Sequence, residues 1–301
     1  MIVNAPTGIS WQIIPFVKAT SQQQLAEQTN MCWRATAMVD DYCNHVLRST
    51  VDTERLFGPD YRITQQQDTG NTRMILSSWP VTQILQVAVS PNTFPRSFQV
   101  VPSGYYEPEV PPITTYGTSS PSSAADGGQA MLLSAGYINW GLGRHGFAAS
   151  ISYLNGWPHA GTTVSAASNA TQLTVDDVTG MAGANVFIYD GAQTETAAVV
   201  SVEANTPYTL PFAGATAQAG PGAIQLSAGT AYAHAAGCVV SAMPQNVLWA
   251  AILATVVQAL ESGVTAVTIQ ALPGAKTVGG QGIQQLSVEW ETLLNYYRRT
   301  I

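Results

Sequence analysis

The side chains with which proteins do chemistry are thinly spread along this chain. Four histidines, His45, His145, His159 and His234, stand far apart. None is read as part of an HExxH or His–Cys grouping of the kind that holds zinc. There is no GxSxG elbow and no Walker loop. Gly279-Gly280-Gln281-Gly282 is glycine-rich but lacks the Lys-Ser/Thr pair that engages phosphates. Asp176 and Asp177 are adjacent, without the alternating acidic spacing of a calcium loop, and read as a surface turn. Asn169-Ala170-Thr171 fits a glycosylation pattern. It is read as chance, because the opening MIVNAPTGISWQIIPF has neither the basic head nor the long apolar run of a secretion signal. Arg144-His145 is the most unusual polar spot. A subunit contact or small-ligand site is one reading; a glycine-rich turn with two exposed polar side chains is preferred. The expectation is a protein that is not an enzyme and takes no cofactor and no metal.

Three cysteines, Cys32, Cys43 and Cys238, complete the reactive inventory. The first two lie 11 positions apart on one expected helix. At the helical rise that separates them by roughly 16 Å, too far for a disulfide. All three read as reduced, mostly buried thiols. Charge is scarce: 11 Lys+Arg and 18 Asp+Glu make 10% of the chain and leave a net charge of −7, against about a quarter charged in an average protein. Gripping DNA takes Lys and Arg, since counterion release supplies most of that affinity, so no grip on DNA is expected; a weakly negative wall beside which DNA slides as passing cargo is compatible with this charge. A surface of Gln, Ser, Thr, Ala and Gly suits a protein that buries much of itself against partners. The most apolar stretch, Val247–Leu260, is shorter than the roughly 20 residues a membrane span needs.

The elements follow from periodicity. Ser21 opens a helix with Gln24 in capping-box position. Leu25, Thr29, Cys32, Thr36, Val39, Cys43 and Val46 then form one stripe, and the helix is expected to end near Leu47–Thr50. From Asp60 to Pro102, short β-branched runs separated by Gly, Pro and Asn predict strands. Residues 102–128, rich in Pro, Ser, Gly and Thr, read as an extended arm carrying Tyr105, Tyr106 and Tyr116. Two more strands follow, near Ala130–Ala135 and Phe147–Tyr153. Residues 162–242 contain no Lys or Arg and alternate as strands, with Asp190-Gly191 as a hairpin signal. Pro244 starts a second helix, expected over 244–262, and residues 265–282 read as a polar connector. A last helix is expected over 284–299. The fold class expected is α+β: a helical core with a small antiparallel sheet, from residues 1–161 and 243–301, and an inserted all-β, barrel- or sandwich-like domain at 162–242.

The order of these elements carries a resemblance. Trp79-Pro80-Val81 precedes the strand Ile84–Val89. Ser152-Tyr-Leu-Asn-Gly-Trp-Pro158 closes the first block, and Met243-Pro244 opens a helix rich in Ala and Ile. The chain ends in Leu293-Leu-Asn-Tyr-Tyr-Arg-Arg299. Over roughly residues 20–160 and 243–301 the chain resembles the head-to-tail connector (adaptor) family of long-tailed bacteriophages. The insert departs from that pattern, although Leu173-Thr-Val-Asp-Asp and Ala233-His-Ala-Ala-Gly237 are similar to inserts of actinobacterial-type phage adaptors. The resemblance implies a homo-oligomeric ring, usually dodecameric, between the portal protein and a stopper or tail-terminator protein. It places the chain in the virion neck, assembled in the host cytoplasm. Tyr296, Tyr297, Arg298, Arg299 and Ile301 are the expected portal contacts, and Tyr105, Tyr106 and Tyr116 the expected inter-subunit arm. A second reading is a tail or baseplate module whose β insert recognises a host glycan; a third is a hydrolase.

Overall fold

A computed structural model describes residues 11–13, 21–58, 60–66, 69–91, 94–109, 130–135, 146–190, 193–261, 266–269, 276–279 and 283–298. Strands dominate it, which corrects the expected helical core with a small sheet. Three α-helices share one core, but two further cores belong to sheets. The long amphipathic stripes dominate a reading of the sequence. The sheets of the body bury as coherent a set of side chains.

Helix α1 spans Ser21–Cys43. The side chains of residues 21–29, including the expected Ser21/Gln24 box, lie outside the described residues. The helix stops earlier than its stripe suggests. Asn44 adopts φ 58°, and the His45 N–H reaches back to the Asp40 carbonyl at 3.2 Å. That is a left-handed C-terminal cap, which Asn accepts more readily than most residues. Met31, Cys32, Ala35, Val39 and Cys43 are buried. Helix α2, Gln245–Glu261, is apolar nearly all round and is buried accordingly. Helix α3, Ile283–Leu294, adds Leu286, Trp290 and Leu294. Trp157, from the loop below, completes this core. No described helix is long and apolar enough to cross a membrane.

The body holds two four-stranded antiparallel sheets. The first orders its strands Thr50–Phe57, Phe147–Asn155, Val81–Pro91 and Gln99–Val100. Its strand Phe147–Asn155 is buried at all nine positions, so both faces of the sheet are covered there. The second sheet runs Ile63–Gln65, Thr72–Ile75, Ala130–Leu133 and Tyr106–Pro108. Leu56, Met74, Val87, Met131, Leu133 and Ile151 are among the side chains that form the core of these sheets. Thr50–Phe57 was hidden in the sequence because its alternate positions Asp52 and Glu54 are acids. They face a polar network instead of solvent. Glu54 accepts hydrogen bonds from the Tyr153 hydroxyl (2.6 Å), the Ser77 N–H (2.6 Å), the Ser77 hydroxyl (2.7 Å) and Arg62 Nη1 (3.0 Å).

The stretch from His159 to Ser241 supplies a six-stranded sheet, in the order His159–Gly161, Val239–Ser241, Asn185–Tyr189, Glu195–Ala204, Gly222–Leu226 and Gln172–Val175. Its outermost strands meet again. The Thr163 N–H donates to the Thr174 carbonyl at 2.9 Å and the Asp176 N–H to the Gly161 carbonyl at 2.9 Å. These bonds draw the sheet toward a barrel around Val175, Val186, Ile188, Ile224 and Val240. Two strands of the expected connector, Ala266–Ile269 and Lys276–Gly279, pair with each other, and Trp11–Ile13 pairs with the first.

Candidate interface and candidate metal centre

The C-terminal residues expected to reach a portal are partly tied to their own chain. After α3 the backbone tightens into a 3₁₀ turn, Asn295–Tyr297. The Tyr297 ring meets Trp157 edge-on, with centroids 5.4 Å apart at 84°. Its carbonyl lies 3.1 Å from His45 Nε2. The Tyr42 hydroxyl donates to Asn295 Oδ1 at 2.6 Å, and the Arg298 guanidinium sits 5.3 Å over the Tyr42 ring. Tyr297 is therefore a wedge between helices, while Arg298 is exposed. The Tyr296 side chain and residues Arg299 and Ile301 lie outside the described residues.

The expected arm begins as structure. Ser103–Tyr105 is a 3₁₀ turn, and Tyr106–Pro108 is an edge strand paired with Met131–Leu133. The Arg73 guanidinium holds Glu109 at 2.8 Å. Tyr105 is exposed and Tyr106 half-buried, and burial raises the Tyr106 phenol above its ordinary range. Tyr116 and residues 110–129 lie outside the described residues. So do Arg144, His145 and residues 280–282 of the glycine-rich stretch.

Large apolar side chains stand in solvent on the body. Phe94 is 96% exposed and Tyr61 is 85% exposed, both on turns of the sheets; Trp33 projects from α1. The segment from His159 to Ser241 exposes Val164, Val200, Tyr208 and Tyr232. Cys32 and Cys43 do not offer nucleophiles: burial pushes their thiols up to about 11 and about 12. His159 is held neutral. Burial, then the charge of Arg48, lowers its pKa to about 3, and its Nδ1 lies 3.0 Å from the Ser241 hydroxyl.

Around one of the four histidines the fold gathers other candidate ligands. His234, with a fully buried side chain, lies between two carboxylates: Nδ1 is 3.2 Å from Asp190 Oδ2 and Nε2 is 2.6 Å from Glu195 Oε1. Cys238 is buried beside them, and the ligand atoms of Asp190, His234 and Cys238 all fall within 4.8 Å of one another. The fold assembles them from three places. Asp190 and Glu195 flank the turn between Asn185–Tyr189 and Glu195–Ala204. His234 is pinned by a reciprocal backbone pair with Ala166, at 2.8 Å each way. Cys238 enters the strand Val239–Ser241. Glu195 also accepts the Ala231 N–H at 2.8 Å. Its carboxyl is depressed by hydrogen bonds from the Ala231 N–H and from His234, against the opposing effect of burial. The spacing His234-x₃-Cys238 is the signal the sequence offers; the two carboxylates stand 44 and 39 positions before the histidine and reach it only through the fold.

No family model matches the chain, and no curated protein and no solved structure matches it.

Proposed function

We propose that the chain is a structural subunit of a tailed-phage neck: a head-to-tail adaptor, not an enzyme, that forms a ring with copies of itself between portal and tail-completion protein. The observation that carries this reading is the character of its surface. Charge is scarce, and large side chains such as Phe94, Tyr61 and Trp33 stand in solvent on the body. Aromatic residues at exposed turns are the anchors of protein interfaces, and a ring buries such residues through one contact repeated until it closes. The order of elements supports the same reading, as does the net charge of −7, which suits a wall past which DNA slides without being gripped.

The glycan-binding alternative gains less support. It calls for an apolar patch on the segment from His159 to Ser241 alone, whereas the most exposed large apolar side chains lie on the body. The test is the mass of the purified protein by light scattering, alone and mixed with purified portal. A ring of about a dozen copies, alone or only on portal, is the expected outcome. A stable monomer that ignores portal would sink the adaptor reading and send the search to host-surface glycans.

A further inference from the structure

We propose that Asp190, His234 and Cys238 bind a zinc-class divalent ion, through Asp190 Oδ2, His234 Nδ1 and Cys238 Sγ. Glu195 holds the far side of the imidazole. The inference stands apart from the virion reading and needs no other chain.

The convergence of three unlike donor atoms on one point carries it. A neutral histidine has one N–H. Nε2, 2.6 Å from Glu195 Oε1, is placed to donate it there. Nδ1 then presents a lone pair toward a carboxylate oxygen 3.2 Å away. A divalent ion placed between Nδ1 and that carboxylate oxygen would be held by both. A metal ion would use the thiolate, and the thiol is there, within 4.8 Å of both other ligand atoms.

The geometry and the donor set agree with this. Around a tetrahedral zinc ion, with bonds of about 2.0–2.3 Å, ligand atoms stand about 3.3–3.8 Å apart. At 3.2 Å the Asp190–His234 pair stands about 0.1 Å short of that range, and the thiol, within 4.8 Å of both, needs to close by up to about 1.3 Å. One sulfur, one nitrogen and one oxygen suit zinc or a neighbouring transition metal; calcium and magnesium take oxygen sets. A metal-bound histidine normally donates its other N–H to a carboxylate, which fixes ring and tautomer, and Glu195 stands in that position. Three protein ligands leave the fourth place to water on the side of Asp190, which is 20% exposed. Such an ion would staple the segment carrying His234 and Cys238 to the hairpin carrying Asp190 and Glu195.

The test uses the full-length protein, stripped with a chelator at neutral pH and titrated separately with zinc and cobalt. The expected result is one ion per chain. Cobalt should develop near-ultraviolet thiolate charge-transfer absorption, which Cys238→Ser abolishes. Glu195→Gln should weaken zinc affinity about 10–100-fold with the circular dichroism unchanged. A folded wild-type chain that takes up neither ion overturns the proposal, as does cobalt–thiolate absorption that survives Cys238→Ser. Should Cys238→Ser fail to fold, Glu195→Gln decides, and unchanged affinity overturns it.

Discussion

Tyr297 was expected to be a hand held out to the portal, and its surroundings make it a wedge in its own core. The two roles separate experimentally. Replacing Tyr297 by Ala removes a half-buried ring and its edge-on contact with Trp157. Half the burial of a large side chain contributes roughly 1–1.5 kcal/mol. The aromatic pair adds about 0.5–1.5 kcal/mol. The sum is about 2 kcal/mol, a sizeable part of the roughly 5–15 kcal/mol by which proteins are stable. Removing residues 299–301 instead leaves Tyr297, Arg298 and the Asn295–Tyr42 bond in place, and should change stability by less than about 0.5 kcal/mol. Urea unfolding followed by tryptophan fluorescence is the assay. Full stability of Tyr297→Ala would refute the wedge. A 299–301 deletion as costly as Tyr297→Ala would show that the terminus packs as a unit, and it could not then serve as a clean probe of portal attachment. Deleting residues 296–301 removes both at once, so loss of attachment in that variant does not distinguish an anchor from a damaged core.

Two further outcomes follow from buried polar groups. Glu54→Ala strands the Tyr153 hydroxyl and the Ser77 N–H and should cost about 3 kcal/mol. Tyr153→Phe made alongside it removes one stranded group, so the pair should fall short of additivity by about 1–2 kcal/mol in a double-mutant cycle; strict additivity would show that the network is not coupled. Asp40 is raised from 3.8 to about 6, chiefly by burial and against the Leu47 N–H that it accepts. Between those values the unfolded chain has lost the proton that the folded chain still holds, so stability falls as pH rises from about 4 to about 6. After allowance for partial exposure the drop is roughly 1–2 kcal/mol. Asp40→Asn should flatten it in urea midpoints taken across that range, and an unchanged slope in the variant would count against the assignment.

How much of this was legible depended on whether a segment met its environment in the usual way. Gln172–Val175 and Asn185–Tyr189 alternate apolar with polar, and both appear as strands where the alternation placed them. Helix α2 begins at Gln245, one residue past its proline. Thr50–Phe57 escaped because its acids are satisfied within the fold, Glu54 by Arg62, Ser77 and Tyr153 and Asp52 by Ser78 and Asn155; hydropathy cannot distinguish a satisfied carboxylate from a solvated one. Ala266–Ile269 and Lys276–Gly279 escaped because glycines dilute their surroundings. The balance of helix and sheet was misjudged because a stripe on a long helix is visible within one segment. The body's sheet core is spread over strands as distant as Leu56 and Ile151. The His234 cluster was hidden for the same reason: Asp190 and Glu195 approach His234 only once the barrel forms.

The way the His159–Ser241 segment joins the body bears on which function it can serve. A module that searches for a host sugar gains from a pliable tether. Here the central strand of the body ends at Asn155 and the next strand begins at His159, which leaves three residues between them and little freedom to swing. The joint is held on several sides. Arg48 donates to Asp177 at 2.7 Å. The buried Gln86 amide donates to the Phe212 carbonyl at 2.7 Å and accepts the Phe212 N–H at 3.1 Å, so a side chain of the body pairs with the segment's backbone as a neighbouring strand would. The Phe98 and Phe212 rings lie 5.3 Å apart beside it. Gly156, at φ +76°, brings the chain so close to Arg48 that a Cβ there would stand 2.5 Å from the Arg48 carbonyl. These contacts are partly buried, so solvent screens the Arg48–Asp177 pair less than an exposed one. A segment held by these contacts has its place set by the body.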